Sequence, residues 1–246
     1  MAAELKRVGL LPADTPEWRL WVAVAELASY LTAGQWVLIG GQMVALHLHV
    51  AGAQPTRTTT DIDIVADILA VHSSYAACKT AAAKMNLKPD PSVNGKTLHR
   101  FAGPSGQLDL MVPDHLPGWL TRKFTQPTSV VVPGGQRAID RRIIVGITTA
   151  FGDADIPIPD LQGALVLKAR AAIADGRDRE RHHLDLAQLS TIIDDPLRFR
   201  QGLDTKERRS LRNVHLGEDV TMPPWLRLSV TVRQRALDAW STLVAS

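Results

Sequence analysis

The sequence predicts a mixed α/β fold: a sheet with flanking helices to about residue 155, then a helical region to the end. Three observations carry this reading. Short apolar or β-rich runs punctuated by glycine and proline, such as Trp36–Ile39, Asp61–Ala66 and Gln107–Val112, fall in the first part of the chain. Stretches of helical character, alanine-rich after Leu69, lie between them. Past Ile156-Pro157-Ile158-Pro159, which breaks the pattern, the remaining runs have helical length and composition. Two domains are expected, residues 1–155 and 156–246.

The elements follow in order. Thr15-Pro16-Glu17 supplies an N-cap, a proline at the first helical position and an acid in the first turn. That helix should run to about Ala33 and stop at Gly34. Trp36–Ile39 reads as a buried strand ending at Gly40-Gly41, with a helix over Gln42–Val50 and a loop over Gly52–Thr60. Asp61–Ala66 is a strand and Leu69–Leu87 a helix, with a loop over Pro89–Gly95. Thr97–Ala102 and Gln107–Val112 flank Gly103-Pro104-Ser105-Gly106, a hairpin signal. Ser129–Pro133 and Arg142–Ile147 are further strands. Asp160 can cap a helix to Ala174, and others are expected over 180–193, 205–213 and 228–244.

The chain has 246 residues, 45% of them hydrophobic, enough for a sizeable core. Cys78 is the single cysteine, which excludes an intramolecular disulfide and suits a reducing, cytoplasmic setting. No run reaches the roughly 20 apolar residues of a membrane helix, and the first residues lack the apolar core of a secretory leader. A soluble protein with no membrane partner is expected. Net charge is only +3, but its distribution is uneven. Arg122, Lys123, Arg137, Arg141 and Arg142 face one acid, Asp140; Arg198, Arg200, Lys206, Arg208, Arg209 and Arg212 face Asp204 and Glu207. Such segments can follow a phosphate backbone, or be a solvated hairpin and helix face.

Asp61 and Asp63 stand two apart on a strand, so both carboxylates leave the same face, while Ile62 and Ile64 anchor the other. Adjacent carboxylates repel and call for a cation; Mg²⁺ takes one or two carboxylates plus substrate phosphates. A solvent-facing edge of a half-buried strand would read the same way. Asp109 interrupts the apolar run Leu108–Val112, and a buried acid needs a partner or a metal. Beside Asp63 it would complete a three-carboxylate cage. Gly40-Gly41 at a strand-to-helix turn lets a phosphate approach backbone N–H groups.

Leu38-Ile39-Gly40-Gly41, then Arg57-Thr58-Thr59-Thr60-Asp61-Ile62-Asp63-Ile64, then Asp109 in an apolar strand together resemble the polymerase-β-type nucleotidyltransferase superfamily. The segment between Gly41 and Asp61 is longer than in many members. The AbiEii-like and MenT-like toxin branch tolerates that, and often shows the pattern of Arg57, Thr59, Asp61 and Asp63. Leu165–Ala171, with Lys168, looks like the branch's helical lysine motif; Arg177 and Leu184–Leu189, with Asp185, look like the motif that follows. One departure stands out: Arg181-His182 occupies places where members often carry Lys-Asp, so that upstream acid is missing.

The resemblance implies a nucleotidyltransferase-type sheet with a C-terminal helical domain. It implies transfer of a nucleoside monophosphate from an NTP, ATP among the candidates, to an acceptor hydroxyl. Asp61, Asp63 and Asp109 would hold Mg²⁺, with Mn²⁺ as the alternative. Asp61, Asp63, Lys168 and Asp185 would be catalytic, and Gly40, Gly41, Arg57, Thr59, Thr60 and Lys168 would bind nucleotide. Lys168 would neutralise the triphosphate, and Asp185 could pair with Lys168 or Arg170. The implied acceptor is the 3′ end of tRNA, making the protein the toxin of a toxin–antitoxin pair. An antitoxin kinase could phosphorylate Thr59, placing negative charge beside the carboxylates. His182 and His183 read as surface or nucleic-acid contacts. Transfer to a protein side chain or a small molecule such as an antibiotic, or nucleotide binding without catalysis, are the alternatives.

Overall fold

The computed structural model describes residues 7–10, 16–90, 99–124, 129–176, 178–217 and 219–245. Thr15, the strand start at Thr97, the loop beyond Asp90, Arg177 and the side chain of Arg122 lie outside the described residues. The mixed α/β class predicted from sequence is the one observed. Two compact units form, Met1–Met43 with Thr58–Pro159, and Val44–Arg57 with Asp160–Ser246.

In the first unit β1 (Arg7–Gly9) precedes α1 (Pro16–Tyr30), which ends three residues short of Ala33. The fully buried β2 (Trp36–Ile39) turns into α2 (Gly40–Val50), whose residues from Val44 onward belong to the second unit. In β3 (Asp61–Ala66) the alternation is as expected: Ile62 and Ile64 are buried, Asp61 and Asp63 half-buried. Helix α3 (Ser74–Lys84) begins later than Leu69 because turns intervene; the Asp67 carboxylate accepts from the Ala70 N–H at 3.1 Å. β4 (Lys88–Asp90), in a segment expected as loop, pairs antiparallel with β5 (Arg100–Gly103). β5 and β6 (Gly106–Pro113) form the predicted hairpin. There follow α4 (Gly118–Phe124), β7 (Val131–Val132), α5 (Gly135–Asp140), β8 (Arg142–Thr149) and β9 (Gly152–Pro159).

The larger sheet has the order β2-β3-β6-β5-β4, with β7 added to β6; the smaller has the order β1-β8-β9. The central β3–β6 pair is parallel and sets Asp63 opposite Asp109. Strand β9 corrects the sequence reading, since Ile156–Pro159 continues a strand rather than breaking one. It is an edge strand, where proline's missing N–H can face away from the ladder. Ile156 and Ile158 bury completely and hold it in place. Arg142, counted above in a basic segment, instead pairs at 3.2 Å with Asp67, an acid only 2% exposed.

The second unit is helical after Pro159. Asp160 caps α6 (Leu161–Ala174), its side chain accepting from the Gly163 N–H at 2.7 Å. α7 (Arg179–Ser190) packs on α6. Asp195 caps a short helix, α8 (Pro196–Gln201), which lies between the expected ones. A capping box of Asp204 and Glu207 opens α9 (Thr205–Arg212). α10 (Pro223–Leu226) and α11 (Val230–Val244) complete the unit. Trp225 and Trp240 meet edge to face in its core, 6.5 Å between centroids, and the Trp225 indole N–H donates to the Leu216 carbonyl. Among the described residues no helix is long and apolar enough to cross a membrane.

Candidate active site

In the first unit, strand register assembles an acidic site. The parallel pairing of β3 and β6 sets Asp61 beside Gln107 and Asp63 beside Asp109. Alternation keeps these four side chains on one face. One carboxylate oxygen from each of Asp61, Asp63 and Asp109 lies within 4.8 Å of the others. Asp109 is 6% exposed, mid-strand rather than at a wet strand end. The Thr59 hydroxyl donates to Asp61 Oδ1 at 2.9 Å and fixes its rotamer. Thr60 is exposed.

Gly40 closes the same site. It follows Ile39, the strand partner of Asp63, and has φ +69°, a conformation that favours glycine. A Cβ there would collide with the Asp63 carboxylate. The backbone therefore approaches the acid as closely as it does only because residue 40 is glycine. Gly41 is half-buried in the first turn of α2.

Sequence reasoning missed Arg100. It lies opposite Asp109 on β5, and its guanidinium makes a two-pronged contact, Nε to Oδ1 and Nη2 to Oδ2, both at 2.9 Å. With the Gln107 amide oxygen turned toward it, the same two nitrogens also reach Gln107 at 3.0 and 3.1 Å. The Asp109 hydrogen bonds raise the Arg100 pKa above the ordinary guanidinium value; burial opposes this, and the charges of Asp109, Asp61 and Asp90 add to it. The signal was present: counting back from the Gly103–Gly106 turn places Arg100 across from Asp109.

In the second unit a different cluster forms. Asp185 of α7 is 1% exposed and receives both Arg57 and Lys168. Arg57 donates from Nε to Oδ1 at 2.8 Å and from Nη2 to Oδ2 at 2.9 Å. Lys168 Nζ, on α6, lies 2.6 Å from Oδ2. Burial pushes the Asp185 carboxyl up, but the Lys168 charge and the Arg57 contacts outweigh it and hold it below the usual aspartate range. Next to Arg57, the Thr56 N–H donates to the Gln188 side chain at 2.6 Å. Of the two partners expected for Asp185, Lys168 is the one that meets it, and Arg57 joins it. His182 and His183 are not surface residues: they are 9% and 7% exposed. Burial, Lys168 and Arg181 pull the His182 pKa down to about 4, against the charges of Asp185 and Asp175.

No family model matches the chain, and the comparison with curated proteins gives no match. Among solved structures the chain resembles the crystal structure of an antigenic nucleotidyltransferase-like protein from Paracoccidioides brasiliensis. The two share 16% sequence identity and superpose with a TM-score of 0.50, over 93% of this chain and 95% of that one. The fold is nucleotidyltransferase-like. At this identity the likeness speaks for the fold; the chemistry rests on the residues.

Those residues suit a divalent cation. Three carboxylates offer hard oxygen donors within the span of one ion, and a glycine leaves the adjoining backbone close to Asp63. The triad could hold such a metal.

Proposed function

We propose that the protein is a metal-dependent nucleotidyltransferase that moves a nucleoside monophosphate from an NTP to an acceptor hydroxyl. The observation that carries this is the meeting of Asp61, Asp63 and Asp109 on adjacent strands, on a fold shared with a nucleotidyltransferase-like protein. Asp61, Asp63 and Asp109 would hold Mg²⁺, with Mn²⁺ as the alternative. A bound cation would supply positive charge for the phosphoryl group in transfer.

The protein's own groups do the rest. Thr59 holds Asp61 in its rotamer, and an aspartate of the triad accepts the acceptor hydroxyl's proton. Gly40 and Gly41 open a helix N-terminus to phosphate, whose charge suits the N–H groups there. Thr60 is a further nucleotide contact. In the helical unit Asp185 holds Arg57 and Lys168 in fixed positions, and these two cations are our candidates for contacting phosphate.

The acceptor we favour is the 3′ end of tRNA, with the protein acting as a toxin of the AbiEii-like and MenT-like kind, restrained by an antitoxin. Exposed cations at Arg198, Lys206, Arg209 and Arg212 on α8 and α9 support a polyanionic partner. The test is incubation with each α-labelled NTP and total tRNA. Label should enter ribonuclease-sensitive material and fall by at least on the order of 10²–10³-fold in Asp61→Ala. Protease-sensitive label would move the acceptor to protein. Equal transfer by Asp61→Ala sinks the enzyme reading.

A further inference from the structure

The larger sheet carries a row of side chains across four strands: Asp63 on β3, Asp109 on β6, Arg100 on β5 and Asp90 on β4, each the register partner of the next. Asp90 at the outer edge is exposed, so solvent screens it. Asp109 is nearly buried, and there the Arg100 fork engages both carboxylate oxygens. The same guanidinium leans on Gln107, the neighbour of Asp61. Arg100 thus contacts one acid of the triad directly, and its charge acts on a second.

Two opposed physical effects follow. The fork fixes the plane of the Asp109 carboxylate, which favours any ligand that needs it in place. Its charge stands beside the same oxygens a divalent cation would use, and like charges at that range repel. Charge decides the sign: Asp109 sits mid-strand with its backbone paired on both sides, so its position does not depend on Arg100 alone.

We propose that Arg100 is the built-in counter-ion of the acidic site, a positioning residue that fixes the plane of the Asp109 carboxylate and keeps the site's hold on divalent cations weak. The inference rests on the metal reading above. Without a divalent cation Arg100 offsets the repulsion among the acids; when a cation binds, the guanidinium opposes it, so the site exchanges its ion readily. A purely structural arginine would act in the other direction, because losing it would loosen Asp109 and weaken the site.

The experiment is Mn²⁺ binding to the full chain without nucleotide, followed by calorimetry or by the loss of free-ion paramagnetic signal. Arg100→Gln should bind Mn²⁺ about tenfold more tightly, the lower end of what an adjacent charge does to a titration. Arg100→Lys, which keeps the charge but not the fork, should stay within about threefold of wild type. Melting supplies a second readout: in EDTA Arg100→Gln should melt below wild type, and saturating Mn²⁺ should raise its Tm by more than it raises that of wild type. Unchanged or weaker Mn²⁺ binding by Arg100→Gln overturns the proposal while leaving the metal reading intact. If Arg100→Gln does not fold, an Arg100→Lys affinity more than about tenfold weaker than wild type overturns it instead. Absence of Mn²⁺ binding by wild type overturns both.

Discussion

The acidic triad of β3 and β6 and the cluster of α6 and α7 are built from the same groups in opposite proportion. On the strands three carboxylates gather, and the guanidinium of Arg100 sits on one of them. Between the helices one carboxylate, Asp185, holds two cations. The first arrangement is acid-rich and half-open, with Asp61 and Asp63 only partly buried; the second is cation-rich, and its acid is sealed. The acid excess of the strands suits a divalent cation; between the helices Asp185 already engages both cations, and Lys168 is only 4% exposed. The difference also separates their stabilities. Acids that crowd one another gain little from being together, whereas a sealed acid with two cations becomes costly once a member is removed.

Breaking the sealed cluster should therefore produce the largest change in stability. Asp185→Ala leaves Lys168 and Arg57 without the carboxylate both now contact, and should cost about 3–5 kcal/mol. Lys168→Met leaves Asp185 paired with Arg57 and should cost less. Urea unfolding of both variants checks the order. In the triad Asp61→Ala should do the reverse, losing transfer while keeping or raising the unfolding midpoint because it relieves repulsion. Equal stability losses in Asp185→Ala and Asp61→Ala would dissolve the contrast.

The sequence carried the triad further than it carried the helical cluster, for a physical reason. Strand alternation places Asp61 and Asp63 on one face whatever surrounds them. The hairpin turn fixes what lies opposite Asp109, so Arg100 was recoverable by counting even though composition gives no hint of it. Arg57 is another matter. It sits in a loop far from Asp185 in the chain, and no periodicity ties a loop residue to a helix. The two histidines were misjudged because adjacent residues on a helix ordinarily face different ways, while α7 is buried from His182 to Ser190. Strand β9 was missed because Pro157 and Pro159 outweigh alternating isoleucines in any local reading. Only its edge position, a property of the assembled sheet, makes those prolines acceptable.

Glycine positions sharpen the contrast on a smaller scale. Gly40 and Gly52 have nearly the same φ, +69° and +72°. Forcing alanine into that conformation costs about 1–2 kcal/mol at either position. At Gly52 nothing lies within 4 Å of the added carbon, whereas at Gly40 it meets the Asp63 side chain. Both substitutions should lower the unfolding midpoint, but Gly40→Ala by more, and of the two only Gly40→Ala should reduce transfer. Measured activity in Gly40→Ala equal to that in Gly52→Ala would remove the glycine from the site.

The last contrast distinguishes the clusters by pH. His182 adjoins the sealed, cation-rich group, and burial together with Lys168 lowers its pKa from the ordinary 6.5 to about 4. A histidine lowered in the folded state contributes stability that is complete above pH 6.5 and is lost as pH falls toward 4, since the unfolded chain takes up the proton first. Asp185, also lowered, gives stability present above the ordinary aspartate value of 3.8 and lost as pH falls past it. The two windows meet at about pH 5, where the unfolded carboxylate begins to take up its proton, so the slope of stability between pH 6.5 and about 5 separates the histidine from the carboxylate beside it. His183, lowered by burial and by Arg179, contributes in the same direction. His182→Gln should therefore flatten the slope without abolishing it, as read from urea midpoints between pH 4 and 8. An unchanged slope would mean that His182 takes up its proton in the folded protein as easily as in the unfolded one, and that the excess positive charge around Asp185 does not reach it.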